Sequence, residues 1–133
     1  MKATPFNIES DLAPIPFSEE VCAAAKSLKE KGLEWNPHVG CFVWDENNSI
    51  EVASPFPNQI YFILNLGHFL KIFNTLENMK EKLVWMPTWT QAGQLCKNLN
   101  ISAQTISSTI HINDSSATDS ELIALYNLII ENL

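Results

Sequence analysis

The sequence predicts an α+β fold in which a small antiparallel sheet is packed by about five helices. Residues 39–53 have the two-residue hydrophobic period of strands on either side of a turn-forming segment, ENNS, and therefore indicate a β-hairpin. Other stretches repeat their apolar residues every 3.6 positions, as amphipathic helices do. The chain has 133 residues and fits a single domain, residues 1–133, that buries its own core.

The hairpin is predicted to pair residues 39–45 with residues 50–53. Apolar side chains point to both faces of the first strand: Val39, Cys41 and Val43 to one face, and Phe42 and Trp44 to the other. Because both faces are apolar, this strand should be covered on both sides. In the second strand we expect Ile50 and Val52 to face the core.

Residues 57–73, PNQIYFILNLGHFLKIF, predict the most buried helix of the fold. Pro57 suits the first helical position, where its missing N–H has no partner. The apolar side chains with a helical period are Phe62, Leu66, Phe69, Leu70 and Phe73, and Ile60, Ile63 and Leu64 widen their stripe. A narrow polar line remains on the same predicted helix, consisting of Asn58, Tyr61, Asn65 and His68.

Four further helices complete the prediction. They span residues 19–31, a short segment after Thr75, residues 88–99, and the C-terminal segment after a capping box at 118–121. Ser18 is the predicted N-cap of the first of them, and Gly32 its C-terminal stop. Residues 1–17 are predicted to be an extended N-terminal arm that lies over the core.

Residues 105–112, TISSTIHI, are rich in β-branched residues that alternate with the others, which favours a third strand paired with the hairpin. A helix is the alternative, because residues 94–110 resemble the helix-turn-helix segment of small DNA-binding regulators. The matching features are Leu95-Cys96 in the first helix, Leu99-Asn100-Ile101-Ser102 at the turn, and Thr105-Ile106-Ser107 in the second helix.

This resemblance implies a DNA-binding regulator that acts through residues 90–110. In that family the second helix lies in the major groove, so Ser102, Gln104, Thr105 and Ser108 would face DNA. The sequence departs from the family pattern at Asn100, where a glycine is common, and the second helix contains no lysine or arginine. Phosphate contacts would therefore have to come from elsewhere in the chain.

The charge of the chain disfavours nucleic acids and anionic membranes as partners. Fifteen acidic residues against eight lysines, with no arginine, give a net charge of −7. The three cysteines, Cys22, Cys41 and Cys96, are an odd number without C-x-x-C spacing, which indicates reduced thiols and a cytoplasmic protein. Residues 1–17 lack the apolar stretch of a signal peptide, and we expect no membrane anchor or transmembrane segment.

Five residues are candidates for binding a small apolar ligand: Tyr61, Asn65, His68, Trp85 and Trp89. The first three share one face of the predicted helix, and the segment between the two tryptophans could line a pocket beside it. His68 could then act as an acid or base. The alternative is that the polar line faces solvent and that the tryptophans are anchors of the core.

His38 and Cys41 are the other pair with chemical potential. A metal site needs three or four ligands. His68, Asp45 or Cys22 could add to the pair, but nothing in the spacing requires it, so we predict no metal and no cofactor. A thiol inside a strand with two apolar faces is usually inert. A small-molecule enzyme that uses His68 or Cys41 is therefore the third hypothesis, after an interaction domain and a DNA-binding regulator.

The leading hypothesis is a cytoplasmic binding or interaction domain that self-associates and uses no catalytic apparatus. The last helix, residues 57–73 and the hairpin carry more apolar surface than a small sheet can cover. A homodimer would bury the surplus.

Overall fold

A computed structural model of the chain describes residues 6–7, 9–112 and 118–133. Its sheet has three short strands: β1, Phe42–Trp44; β2, Ile60–Phe62; and β3, Val84–Met86. β1 is central and pairs antiparallel with both neighbours, in the order β2-β1-β3. Phe42 lies opposite Phe62 on one side and Met86 on the other.

Six helices surround this sheet in the described part of the chain. They are α1, Glu19–Glu30; α2, Leu66–Phe73; α3, Leu76–Lys82; α4, Trp89–Asn98; α5, Ala103–Ile112; and α6, Thr118–Glu131. The predicted α+β class, with a small antiparallel sheet, is therefore confirmed.

The side chains of β1 alternate between two hydrophobic cores. Phe42 and Trp44 point into the first core, which contains buried residues of α1, α4 and α6. Val43 points into the second core, with Phe69 of α2 and Met79 of α3. Both faces of β1 are thus covered, but Val39, which the prediction placed on a covered face, lies before the strand and is 56% exposed.

The helix caps follow local sequence signals. The Ser18 hydroxyl accepts a hydrogen bond from the Val21 N–H at 3.3 Å, and Gly32, after the end of α1, has a φ of +103°, which favours glycine. Thr75 caps α3 as expected. The capping box predicted at 118–121 depends on side chains outside the described residues.

The prediction of one long helix over residues 57–73 is wrong. Pro57–Gln59 form a single turn with left-handed φ values of +59° and +61° at its last two residues, and the chain then enters β2. Asn65 ends this extended segment because its side chain accepts from the N–H of His68 and caps α2. The period of a short apolar run does not distinguish a strand from a helix, so these polar residues at the turns decide the outcome.

The predicted second strand of the hairpin, residues 50–53, is a loop. Asp45 is fully buried, and its two carboxylate oxygens accept hydrogen bonds from the N–H groups of Ser49 and Ile50 at 2.9 and 2.8 Å. The Asp45 carboxylate thus bonds to backbone N–H groups that a strand would otherwise donate to its neighbour. Val52, which we expected to face the core, is exposed.

The predicted third strand, residues 105–112, is also wrong, because these residues belong to α5. The Ser102 hydroxyl accepts from the Thr105 N–H at 3.1 Å and caps this helix. Ile106 and Ile110 are four positions apart and pack against the first core beside α6, which is a helical spacing. This packing outweighs the strand propensity of the β-branched residues.

Five phenylalanines connect the N-terminal arm to the sheet, and we call them the phenylalanine cluster: Phe6, Phe17, Phe42, Phe56 and Phe62. The rings of Phe6 and Phe17 are 5.1 Å apart, and those of Phe17 and Phe56 are stacked at 5.0 Å. Phe42 contacts both Phe56 and Phe62, at 5.7 and 4.9 Å. The cluster therefore extends from the arm to the edge strand β2.

Candidate functional site

An open groove lies beside β2, an edge strand of the sheet, and we call it the β2 groove. It encloses about 310 Å³ between the loop that follows β1, β2 itself and one side of α2. Its lining residues are Ile50, Val52, Ala53, Pro55, Tyr61, Phe62, Leu64, Asn65, His68, Phe69 and Ile72. This volume is at the lower end of the range for small-molecule sites.

Three large apolar side chains of the β2 groove are exposed to solvent. The exposed fraction is 74% for Leu64, 63% for Val52 and 36% for Phe62, whereas Ile50 and Phe69 are buried. Single exposed apolar residues are common on proteins, but a group of them around one hollow marks an interaction surface. The groove therefore offers both an apolar rim and a buried apolar base.

Tyr61, Asn65 and His68, three of the predicted site residues, all line the β2 groove. They come from a strand, a helix cap and a helix rather than from one helical face. The Tyr61 hydroxyl donates to the Val52 carbonyl at 2.5 Å, and the Asn65 amide oxygen caps α2. Partial burial raises the pKa of Tyr61, and the negative charge of Asp45 is a second, smaller cause. The hydroxyl therefore stays protonated and can donate.

His68 is a polar residue of the groove whose side chain remains available to a ligand. Its ring stands edge-on to Phe69, with the centroids 6.1 Å apart and the planes at 88°, and it makes no hydrogen bond to another described side chain. A single exposed imidazole can orient a polar group of a ligand. It has no described nucleophile or carboxylate beside it among the lining residues.

Trp85 and Trp89, the other predicted site residues, lie outside the β2 groove. Trp85 stacks on Trp35, with ring centroids 6.0 Å apart and planes at 14°, and its buried indole N–H has no acceptor among the described residues. Trp89 packs against the first core. Neither tryptophan lines the β2 groove, so the five predicted residues do not form one site.

His38 and Cys41 are in contact, but their geometry does not make the thiol a nucleophile. The sulfur is nearly equidistant from the two ring nitrogens, 3.4 Å from Nδ1 and 3.6 Å from Nε2, so it lies against the ring. The Asn36 carbonyl accepts a hydrogen bond from Nδ1 at 2.7 Å. Burial raises the pKa of the Cys41 thiol, which keeps it protonated.

No cluster of three metal-ligating side chains occurs in residues 6–7, 9–112 and 118–133. Asp45, the buried carboxylate, is already bonded to two backbone N–H groups of its own loop. The groups that could hold a cation are therefore used within the fold or stand apart from one another.

The helices α4 and α5 follow one another along the chain and are joined by a turn, residues 99–102. Asn100 has a φ of +62°, the left-handed conformation for which this turn often uses glycine. Ser102, Gln104, Thr105 and Ser108, the predicted DNA-contact residues, are all exposed at the start of α5. However, the hydroxyl groups of Ser102 and Thr105 bond to each other at 2.8 Å, and Lys97 is the one lysine of the two helices, which contain no arginine.

The sequence did not identify the apolar rim of the β2 groove. Val52 was predicted to face the core, and Phe62 and Leu64 were assigned to a buried helix. The available signal was Asn65, because an asparagine before a helical period is a common N-cap and would have separated Leu64 from α2. The residue before such a cap lies outside the helix, where it can be exposed.

No helix in the described part of the chain is long and apolar enough to cross a membrane. In comparisons with models of protein families, with curated proteins and with solved structures, the chain matches none of them.

Proposed function

We propose that this protein is an interaction domain that binds an apolar group of a partner in the β2 groove. The observation that carries the proposal is the joint exposure of Leu64, Val52 and Phe62 around one hollow with buried walls. Binding of a partner to such a surface is favourable, because apolar area is removed from water. The same feature supports self-association, since a second copy is one such partner.

The expected affinity of this groove is modest. Complete burial of a leucine or valine side chain contributes roughly 1.5–3 kcal/mol, and association costs at least about 4 kcal/mol in lost freedom of motion. Three partly exposed side chains therefore support weak binding unless further contacts form around the rim. Reversible, concentration-dependent binding is the behaviour to look for.

Two further features support the proposal over an enzyme. The hydroxyl of Tyr61 and the amide oxygen of Asn65 are bonded to the protein's own backbone, which leaves the His68 ring and the Asn65 side-chain NH2 as the polar side-chain groups of the groove for a ligand. The Cys41 thiol is fully buried outside the groove.

The three free, buried cysteines also support a reducing compartment such as the cytoplasm.

The proposal is tested with 1-anilinonaphthalene-8-sulfonate, whose fluorescence increases in apolar sites. We expect Leu64→Ser to weaken binding of this probe about fivefold, which corresponds to the loss of about 1 kcal/mol of apolar contact. Leu76→Ser is the matched control, because Leu76 is exposed but does not line the groove. Equal loss in both variants, or no binding by the unmodified protein, would contradict the proposal.

DNA binding by α4 and α5 is the second candidate function. The observation in its favour is that residues 103–112 are helical and follow a left-handed turn at Asn100. Gln104 and Ser108 are exposed on that helix and could reach base edges. The net charge of −7 weighs against it, because phosphate contacts supply most of the affinity of DNA-binding proteins.

A further inference from the structure

Another hollow lies at the start of α1, and it shares no lining residue with the β2 groove. It encloses about 560 Å³, which is within the usual range for small-molecule sites. We call it the α1 pocket, and its lining residues are Glu19, Cys22, Trp44, Asn58 and Gln59. The described lining thus combines a carboxylate, a thiol, an aromatic ring and two amides, without a lysine, arginine or histidine.

The two amides of the α1 pocket have side-chain oxygens that remain open to a ligand. Asn58 donates through its side-chain nitrogen to the Phe17 carbonyl, and because a carbonyl only accepts, this bond identifies the nitrogen. Gln59 donates to the Asn48 side-chain oxygen at 2.9 Å. Neither of these two side-chain oxygens accepts a hydrogen bond from a described residue. Each amide is thus held by its nitrogen and offers its oxygen as an acceptor.

The backbone at Asn58 and Gln59 forms a turn that places both amides at the α1 pocket. Their φ values of +59° and +61° are left-handed, a conformation that is uncommon for residues other than glycine. The Gln59 carbonyl accepts from the Asp45 N–H at 3.0 Å, and this bond to the end of β1 supports the turn. Strained residues that the surrounding structure fixes are frequent at ligand sites. Two of them in succession, both lining one pocket, therefore favour a binding role.

The free charge of the α1 pocket is negative. The Glu19 carboxylate makes no ion pair or hydrogen bond with the described residues. Burial raises the pKa of the Cys22 thiol to about 12, and the charge of Glu19 is the second cause, so this carboxylate acts on the interior of the pocket. Lys26, one turn after Cys22, pairs with Glu46 and is thereby balanced. The positive end of the α1 dipole is equivalent to about half a charge, less than one carboxylate.

These groups match an organic ammonium ion better than a metal ion. A primary ammonium has three N–H donors and no acceptor, and the pocket offers the Glu19 carboxylate and the side-chain oxygens of Asn58 and Gln59. Trp44 is partly exposed, and an indole ring attracts a cation at its face. Calcium takes about six to eight oxygen ligands, which this lining does not supply. The volume also leaves room for a body of several carbon atoms.

We propose that the α1 pocket binds a small organic molecule in which a primary ammonium group is attached to an apolar body. The ammonium group donates to Glu19 and to the side-chain oxygens of Asn58 and Gln59. The apolar body lies against Trp44. This inference goes beyond the proposed function, because it concerns a second site with a ligand of different chemistry.

The test is isothermal titration calorimetry of the full chain with phenethylamine, which carries a primary ammonium group two carbons from a phenyl ring. We expect Glu19→Gln to weaken binding at least about fivefold, because the amide keeps the size of the side chain and removes its charge. Glu20→Gln is the matched control, since Glu20 is the next residue of α1, is exposed and does not line the pocket. Its dissociation constant should stay within about twofold of that of the unmodified protein.

Two further comparisons test the ammonium group and the turn separately. 2-Phenylethanol has a hydroxyl in place of the ammonium group, and we expect it to bind the unmodified protein at least about fivefold more weakly. Gln59→Gly removes one acceptor and keeps the left-handed backbone, which glycine adopts without strain. This variant should stay folded, as circular dichroism would verify, and should bind phenethylamine about threefold more weakly.

Several outcomes would overturn the proposal. Equal losses in Glu19→Gln and Glu20→Gln would show that binding follows the overall charge of the chain, and undiminished binding by Gln59→Gly would remove the turn from the site. Equal binding of 2-phenylethanol, or no binding of phenethylamine up to about 10 mM, would also overturn it. Displacement of phenethylamine by calcium chloride would assign the oxygens to a metal ion instead. None of these results bears on the β2 groove, because the two sites have no lining residue in common.

Discussion

Asp45 is the one charged side chain that is fully buried in the described part of the chain. Its carboxylate accepts from the N–H groups of Ser49 and Ile50, and its own N–H donates to the Gln59 carbonyl at 3.0 Å. It thereby links the end of β1 to the turn before β2 and holds the start of the loop that forms one wall of the β2 groove. The groove thus depends on a residue that does not line it.

We predict that Asp45→Asn lowers the free energy of unfolding by about 1–3 kcal/mol, measured by urea denaturation. An amide keeps one acceptor oxygen, so one of the two backbone N–H groups would face another donor in a buried site. Asn47→Ala is the control, because Asn47 is exposed in the same loop, and its effect should stay within about 0.5 kcal/mol. Equal stability of Asp45→Asn and the unmodified protein would show that the carboxylate is not needed.

At the scale of elements, α4 and α5 are two consecutive helices joined by a short turn, with Lys97 as their one lysine and no arginine. Thr88 and Gln91 bond each other reciprocally at the start of α4, and Ser102 caps α5. Both helices are thus fixed by local side chains. The exposed surface of α5 carries hydroxyl and amide groups, which can bond to proteins as readily as to bases.

We expect that the protein does not retard the migration of duplex DNA in a gel, even at low salt. Lys97 is the one cation of the two helices, and neutralising a single phosphate gives little affinity. Retention that falls steeply with salt, and that Lys97→Ala or Gln104→Ala weakens, would contradict this expectation and establish the second candidate function. Lys31→Ala, at the exposed end of α1, is the control for loss of charge alone.

Elements with local signals could be predicted from the sequence, and elements fixed by distant contacts could not. Ser18 and Thr75 cap helices because each bonds to a residue three positions away. The partners of β1, in contrast, are β2 and β3, and nothing near β1 in the sequence identifies them. The hairpin prediction paired this strand with the nearest apolar segment, residues 50–53. The buried Asp45 carboxylate holds the start of that segment as a loop.

The candidate site was predicted in part. Tyr61, Asn65 and His68 were chosen as a polar line on a helix, yet a strand, a cap and a helix bring them to one groove. The apolar rim was missed because the exposure of Leu64 depends on where α2 begins. Trp85 lies on β3 and stacks on Trp35, away from the groove. The sequence did not indicate this position, because a strand of three residues is too short to show a hydrophobic period.

At the scale of the whole molecule, burial raises the pKa of groups that lose a proton at alkaline pH. It raises the pKa of Cys22 from 9.0 to about 12, and it also raises the pKa values of Cys41, Cys96 and Tyr126. The folded protein therefore keeps protons that the unfolded chain has lost. This contribution to stability is fully present below about pH 9 and is lost as the pH rises toward about 12.

We predict that the urea midpoint falls as the pH rises above about 9, because the unfolded chain gives up protons that the folded protein retains. Cys22→Ala should reduce the size of this fall, although it lowers stability at every pH by removing a buried sulfur. The comparison of slopes separates the two effects. An identical pH dependence in Cys22→Ala would exclude Cys22 as a source of the alkaline loss.

The packing of α1 against α6 has a consequence for synthesis of the chain on the ribosome. α1 and α6 share one core, so Val21, Ala25 and Leu28 have no apolar cover from α6 until Leu122 and Ile129 have been translated. The nascent chain must therefore carry this surface uncovered while residues 31–117 are translated. Chaperones that shield apolar segments would be needed most before α6 emerges.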